Sequence, residues 1–124
     1  MEKRLLYPQR LRRLPPQFSW IDQRLVRDEH IDRLSHGAAA LYLFLCTVAD
    51  KNGLSYYSDR SLARRLQMPA MQLDSARAEL VEADLIAYQA PLYQLLLYIL
   101  KIEVNLWKYS RAVKNYRVDK RITS

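Results

Sequence analysis

The chain has 124 residues, half of them hydrophobic, and a formal net charge of +7. This length supports one domain with a buried core, and the apolar content excludes global disorder. The single cysteine, Cys46, excludes a disulfide framework within the chain. The apolar block at residues 95–100 is far shorter than the ~20 residues of a membrane span, and the basic N-terminal residues lack the apolar stretch of a signal peptide. We therefore expect a cytoplasmic protein with no membrane partner.

The positive charge is concentrated towards the two ends of the sequence. Residues 1–17 carry five basic and one acidic side chain, residues 18–100 carry eight and ten, and residues 101–124 carry seven and two. Basic ends suit a polyanion such as DNA, and the alternative is that they only keep a small domain soluble. We divide the chain into a basic arm at 1–17, a folded domain at 18–97, and a basic extension at 98–124.

The basic arm precedes the first predicted helix. Its arginines stand before a proline pair, which is typical of an extended segment that ends in a stiff turn: Arg10, Arg12 and Arg13. Three apolar side chains are expected to dock the arm on the core: Phe18, Trp20 and Ile21. A short helix is expected at residues 27–34.

A long apolar helix should form the centre of the domain. Ser35 is a suitable N-cap, and the helix is expected to end near Asp50. Its circumference is apolar almost all round, which predicts burial on every side. Gly53 suits a left-handed cap, and residues 54–57 read as a short strand that could be the third strand of a small sheet.

The next segment predicts a helix-turn-helix followed by a hairpin. Ser58 is a plausible N-cap for the first helix, and Pro69 ends its periodicity. The second helix should bury three residues at helical spacing: Leu73, Ala76 and Leu80. Four others should point outward: Gln72, Ser75, Arg77 and Glu79. Strands are predicted on both sides of the turn at residues 90–91.

Residues 55–88, which include SYYSDRSLARRL and ARAELVEADLIAY, resemble the winged helix-turn-helix of bacterial regulators. With the upstream LYLFL, the segment is most similar to replication-initiator and DnaD-like domains and to helix-turn-helix proteins of mobile DNA. The resemblance implies a mainly α fold with a small antiparallel sheet, which binds double-stranded DNA as a homodimer without a cofactor. The implied role is transcription regulation, or replication and maintenance of mobile DNA. The chain departs from such families at Asp84, where glycine is common, and at Met68-Pro69, where a polar N-cap is usual.

The helix-turn-helix prediction assigns candidate DNA contacts. Base readout would come from the second helix, through Met71, Gln72, Ser75 and Arg77. Backbone contacts would come from the first helix and the arm, through Arg60, Arg64, Arg65, Arg10, Arg12 and Arg13. The wing would contribute Tyr88, Gln89 and Tyr93, although the two tyrosines also suit ordinary cross-strand packing. Because Asp74 and the later acidic residues make the second helix almost neutral, a protein-interaction winged helix in an initiator-type assembly is the alternative.

The sequence carries no recognisable catalytic or metal motif. His30 and His36 lack the spacing of a zinc site, and two glycines cannot supply a phosphate-binding loop. We expect neither enzymatic activity nor a cofactor.

The segment after the hairpin is predicted as a helix over residues 99–116 that ends in a frayed basic tail, although its even positions also alternate as in a strand. Its apolar side chains either fill the monomer core or meet a second subunit. The homodimer prediction assigns the interface to Leu96, Ile99, Leu100, Ile102 and Leu106.

Overall fold

The computed structural model describes residues 2–98. Within them lie four α-helices: α1 (Arg24–Arg27), α2 (His36–Val48), α3 (Asp59–Leu66) and α4 (Ala70–Glu82). The strands are β1 (Leu54–Tyr56), β2 (Ile86–Gln89) and β3 (Leu92–Leu95), which form an antiparallel sheet in the order β1-β3-β2. This part of the chain is therefore mainly helical with a small three-stranded sheet, as predicted, and the arrangement is compatible with a winged helix.

Helix α2 lies at the centre of the core but is not buried on every side. Ser35 caps it as predicted, because its hydroxyl accepts a hydrogen bond from the Ala38 amide at 3.1 Å. Leu41 and Leu45 are fully buried, since α4 and the sheet pack on this side of the helix. Leu43 remains 57% exposed. The prediction of burial all round was wrong, because Leu43 lies on an open hollow between α2 and the irregular segment at residues 17–21.

The segments on either side of α2 differ from the predicted boundaries. In place of one helix over residues 27–34, α1 ends at Arg27 and a 3-10 turn covers Ile31–Arg33, because Glu29 between them has a left-handed φ of 64°. Helix α2 ends at Val48, and the Asp50 carboxylate then accepts hydrogen bonds from the amides of a tight turn. Gly53 has the expected positive φ of 81°, but it belongs to this turn and not to the helix cap.

Helices α3 and α4 follow each other across a short turn at the positions predicted for a helix-turn-helix. Ser58 caps α3 by accepting a hydrogen bond from the Ser61 amide at 3.1 Å. Gln67 ends α3 in a left-handed conformation with φ 54°, and Pro69 precedes α4 without a side-chain cap. The predicted inward face of α4 is confirmed, with exposures of 1% or less: Leu73, Ala76 and Leu80.

The hairpin that follows α4 completes the sheet. Asp84 adopts a left-handed conformation with φ 59° between the helix and β2. Strand β3 pairs with β2 on one side and with β1 on the other, which confirms β1 as the third strand. The core beneath the sheet contains Leu85, Ile86 and Tyr93, each 1% exposed.

The chain is still packed against the core at the end of the described residues. Leu96 is half-buried, and its amide donates to the Leu85 carbonyl at 3.0 Å. Tyr98 is only 7% exposed, and its hydroxyl lies 2.8 Å from that of Tyr42. The predicted C-terminal helix and four of the predicted dimer contacts lie outside the described residues: Ile99, Leu100, Ile102 and Leu106.

The N-terminal segment runs over the surface. Residues 2–20 are all exposed, and within them only Pro8–Arg10 forms a short 3-10 turn. The expectation that apolar side chains dock this segment was wrong for Phe18, Trp20 and Ile21, which are 58%, 75% and 40% exposed. Its contact with α2 is polar instead, from the Ser19 hydroxyl to the Thr47 carbonyl at 2.9 Å. Across residues 2–98, no helix has the length and apolar character needed to cross a membrane.

Candidate nucleic-acid interface

The first turns of α4 expose a small, uncharged set of side chains together with one carboxylate. Met71 is 83% exposed, and Gln72, Asp74 and Ser75 are also exposed. The Gln72 side chain lies against the start of α2, since a Cβ added at Gly37 would be 3.0 Å from its Nε2. Three of the predicted base-reading residues therefore lie together on one accessible turn: Met71, Gln72 and Ser75.

Arg77, the fourth predicted base-reading residue, does not point into solvent. Its side chain is 12% exposed, and its guanidinium bonds to Asp59 of α3 and, at 3.3 Å, to Asp74. Its Nε donates to the Tyr93 hydroxyl at 3.0 Å, and its Cζ lies 4.3 Å from the centre of the Tyr88 ring. The outward prediction was wrong for Arg77. The side chain connects α3, α4 and the hairpin, and it is occupied by contacts within the chain.

The surroundings of Arg77 keep it charged and keep Tyr93 neutral. Burial disfavours the guanidinium charge, but the hydrogen bond to Tyr93 and the nearby Asp59 carboxylate leave the pKa of Arg77 above its usual value. Burial raises the pKa of Tyr93 although the Arg77 contact opposes it. Arg77 is therefore charged and Tyr93 neutral at neutral pH, so the guanidinium can donate its hydrogen bond to the tyrosine hydroxyl.

Glu79, also predicted to face outward, bridges α4 to the start of α2. Its carboxylate accepts hydrogen bonds from the Ser35 hydroxyl at 2.6 Å and from the Ser35 amide at 2.9 Å. These two bonds lower the pKa of Glu79. Ser35 at the same time caps α2, so one serine orders both the helix start and its packing on α4. The sequence gives no local signal for this pair, because the two residues are 44 positions apart.

The residues predicted to contact the DNA backbone are exposed cations. Arg60, Arg64 and Arg65 are exposed on α3 and form no ion pair with any residue in the 2–98 range. Arg65 lies 5.9 Å from the Phe44 ring centre, and its side chain remains exposed. In the arm, the side chains of three further arginines are exposed: Arg10, Arg12 and Arg13. These six side chains are accessible positive charges, as a phosphate-contacting surface requires.

The hairpin leaves little for a ligand to contact. Tyr93 is 1% exposed, and its ring centre lies 4.6 Å from that of its cross-strand partner Tyr88, which is half-buried under Arg77. Packing therefore occupies these two of the predicted wing contacts, as the alternative expected. Gln89 remains exposed beside the turn at Ala90 and Pro91.

The described part of the chain contains no metal-binding cluster. Among residues 2–98, no group of three or more His, Cys, Asp or Glu side chains could hold an ion. Cys46 is buried, and burial raises the pKa of its thiol although a hydrogen bond with Tyr42 opposes the shift. That the chain is not an enzyme and needs no cofactor stays a prediction.

Comparison with known proteins adds no relative. No protein-family model, curated protein or solved structure matches the chain. The family resemblance therefore stays a prediction, and the function has to be inferred from the residues themselves.

Proposed function

We propose that this chain is a winged-helix protein that binds double-stranded DNA. The observation that carries the proposal is the set of exposed arginines on α3, which directly precedes the turn into α4 and has no acidic partners within residues 2–98. Unpaired guanidinium groups on the first helix of a helix-turn-helix suit phosphate oxygens, which accept two hydrogen bonds from one arginine. The exposed arm would extend this contact along the duplex through Arg10, Arg12 and Arg13.

Base readout in this proposal is confined to the first turns of α4. The Gln72 amide can pair with the edge of adenine, the Ser75 hydroxyl can bond several bases, and Met71 can contact the methyl group of thymine. Arg77 is a positioning residue, because its guanidinium holds α4 against α3 and the hairpin. Because only Gln72 and Ser75 would form hydrogen bonds to bases, we expect a modest preference for particular DNA sequences. We place the protein in the cytoplasm, in transcription regulation or in replication and maintenance of mobile DNA.

A titration with random-sequence duplex DNA tests the proposal. Fluorescence anisotropy at low salt should show binding by the full chain, and R64A should bind more weakly to every sequence. R27A is the matched control, since it removes one exposed arginine from α1 and leaves α3 intact. Absence of duplex binding at low salt would contradict the proposal.

One observation favours a second function, a protein-interaction winged helix in an initiator-type assembly. The exposed surface of α4 carries Asp74 and Glu82, and Met71 is 83% exposed, whereas its one arginine is occupied within the fold. Carboxylates near a phosphate backbone oppose DNA binding, and an exposed methionine suits an apolar partner surface. Failure of duplex binding would favour this alternative.

A further inference from the structure

An apolar groove runs beside the C-terminal half of α2. Its walls are the irregular segment at residues 18–22, the last turns of α2, the turn at 50–53 and the chain at 95–98. The enclosed volume is about 470 Å³, and an adjoining hollow extends it to Leu43. Cys46 and Tyr42 lie along its α2 wall.

The rim of this groove is unusually apolar for an exposed surface. Four large side chains on it are more than half exposed: Phe18 at 58%, Leu43 at 57%, Trp20 at 75% and Leu97 at 75%. The groove and the adjoining hollow share lining residues, among them Phe18 and Cys46, so these four side chains lie on one continuous surface. A contiguous patch of this kind on a small domain indicates an interaction surface.

The chain itself arrives at this groove. Tyr98 lines the groove and is 7% exposed. Its hydroxyl lies 2.8 Å from the Tyr42 hydroxyl, and its ring centre lies 4.7 Å from that of His30. The next residues read ILKIEVNL, in which five of eight side chains are large and apolar. The described chain therefore ends at the apolar groove, and an apolar sequence follows it.

We propose that the groove is the docking site for residues 99–106 of the same chain. A segment tethered directly at Tyr98 has an effective concentration in the millimolar range, far above the micromolar concentration of a second copy in solution. The tether therefore favours the protein's own segment over the homodimer contact that the sequence also predicts. The proposal is independent of DNA binding, so either can fail without the other.

Trp20 reports whether the groove is covered. The chain has two tryptophans, and W107F leaves Trp20 as the only one in the full-length protein. In that background, I102D should release the segment, shift the Trp20 emission to longer wavelength and raise acrylamide quenching roughly twofold, because the indole gains solvent contact. K101D is the matched control, since it adds the same carboxylate at the neighbouring polar position and should leave quenching unchanged.

Two further measurements keep the experiment decisive. I102S repeats the test with a milder change, and circular dichroism shows that each variant retains its fold. Quenching and the light-scattering mass should be independent of concentration between about 1 and about 50 µM, as a contact within one chain requires. Equal quenching in the I102D, I102S and K101D proteins would overturn the proposal. Protection that appears only with a doubled mass would also overturn it, because a second copy would then be the occupant.

Discussion

Replacing Arg77 with alanine should destabilise the domain far more than its position on a predicted recognition helix implies. The change leaves the Tyr93 hydroxyl without its partner at a residue that is 1% exposed, which costs about 1–3 kcal/mol for an unsatisfied buried group. Loss of the stacking on Tyr88 adds about 0.5–2 kcal/mol. The ion pair with Asp59, which is 54% exposed, adds at most about 1 kcal/mol. We expect a total loss of about 2–4 kcal/mol, since these contributions overlap.

Urea unfolding followed by circular dichroism measures this loss. R64A removes an exposed arginine from α3 and should change the free energy of unfolding by less than about 0.5 kcal/mol. Y93F removes the hydroxyl together with its need for a partner, so the R77A/Y93F double variant should lose less than the sum of the single variants. If R77A unfolds at the same urea concentration as R64A, the contacts of Arg77 do not hold α3, α4 and the hairpin together.

Two further predictions concern α4. The hydrogen bonds from Ser35 lower the folded-state pKa of Glu79, so the ionised carboxylate stabilises the fold above its unfolded-state pKa near 4.5, and this stabilisation is lost as the pH falls through the lower folded-state pKa. In thermal melts at pH 7, E79Q should therefore be less stable than wild type. A stability difference that persists undiminished at pH 3 would refute the assignment. Q72A should change the relative affinity for duplexes that differ at one base pair by ~1–3 kcal/mol while leaving the free energy of unfolding almost unchanged. Competition between such duplexes, followed by fluorescence anisotropy, measures the relative affinity. Equal losses of affinity for all sequences would show that Gln72 does not read a base.

Local sequence patterns were sufficient to predict helices α3 and α4 and the turn between them. Ser35 and Ser58 cap their helices because the serine hydroxyl accepts a hydrogen bond from the amide three residues later. A serine directly before a helical pattern is therefore a sufficient signal for the cap. Pro69 separates α3 from α4 for an equally local reason, since its ring disfavours helical geometry in the preceding residue. These signals need no knowledge of the rest of the chain.

The environment of α4 was only partly predictable. Arg77 lies four residues after Leu73 and three before Leu80, so helical spacing already places it on the buried face. A charged side chain is expected to face solvent, and the sequence therefore predicted an outward Arg77. Its charge is instead held at the buried face by the hairpin tyrosines Tyr88 and Tyr93 and by Asp59 of α3. The Glu79 contact with Ser35 could not be predicted, because it joins residues that are distant in sequence.

Apolar character alone gave the wrong environment for the segment before α1. Phe18 and Trp20 are large and hydrophobic, and the sequence therefore predicted burial against the core. In the described structure they instead form the rim of the groove beside α2, where they remain exposed. Hydrophobic character alone does not determine burial, because the surface that a side chain meets depends on the tertiary arrangement.

The salt dependence of duplex binding shows whether the arginines of α3 contact DNA phosphates. The logarithm of the association constant should fall linearly with the logarithm of salt concentration, with a slope of about −0.9 for each phosphate contact. Replacing Arg60, Arg64 and Arg65 together with alanine should therefore make the slope shallower by about 2.7, whereas R27A should leave it close to that of wild type. Equal slopes for the wild-type protein and the triple variant would contradict the assignment of α3 to the DNA backbone.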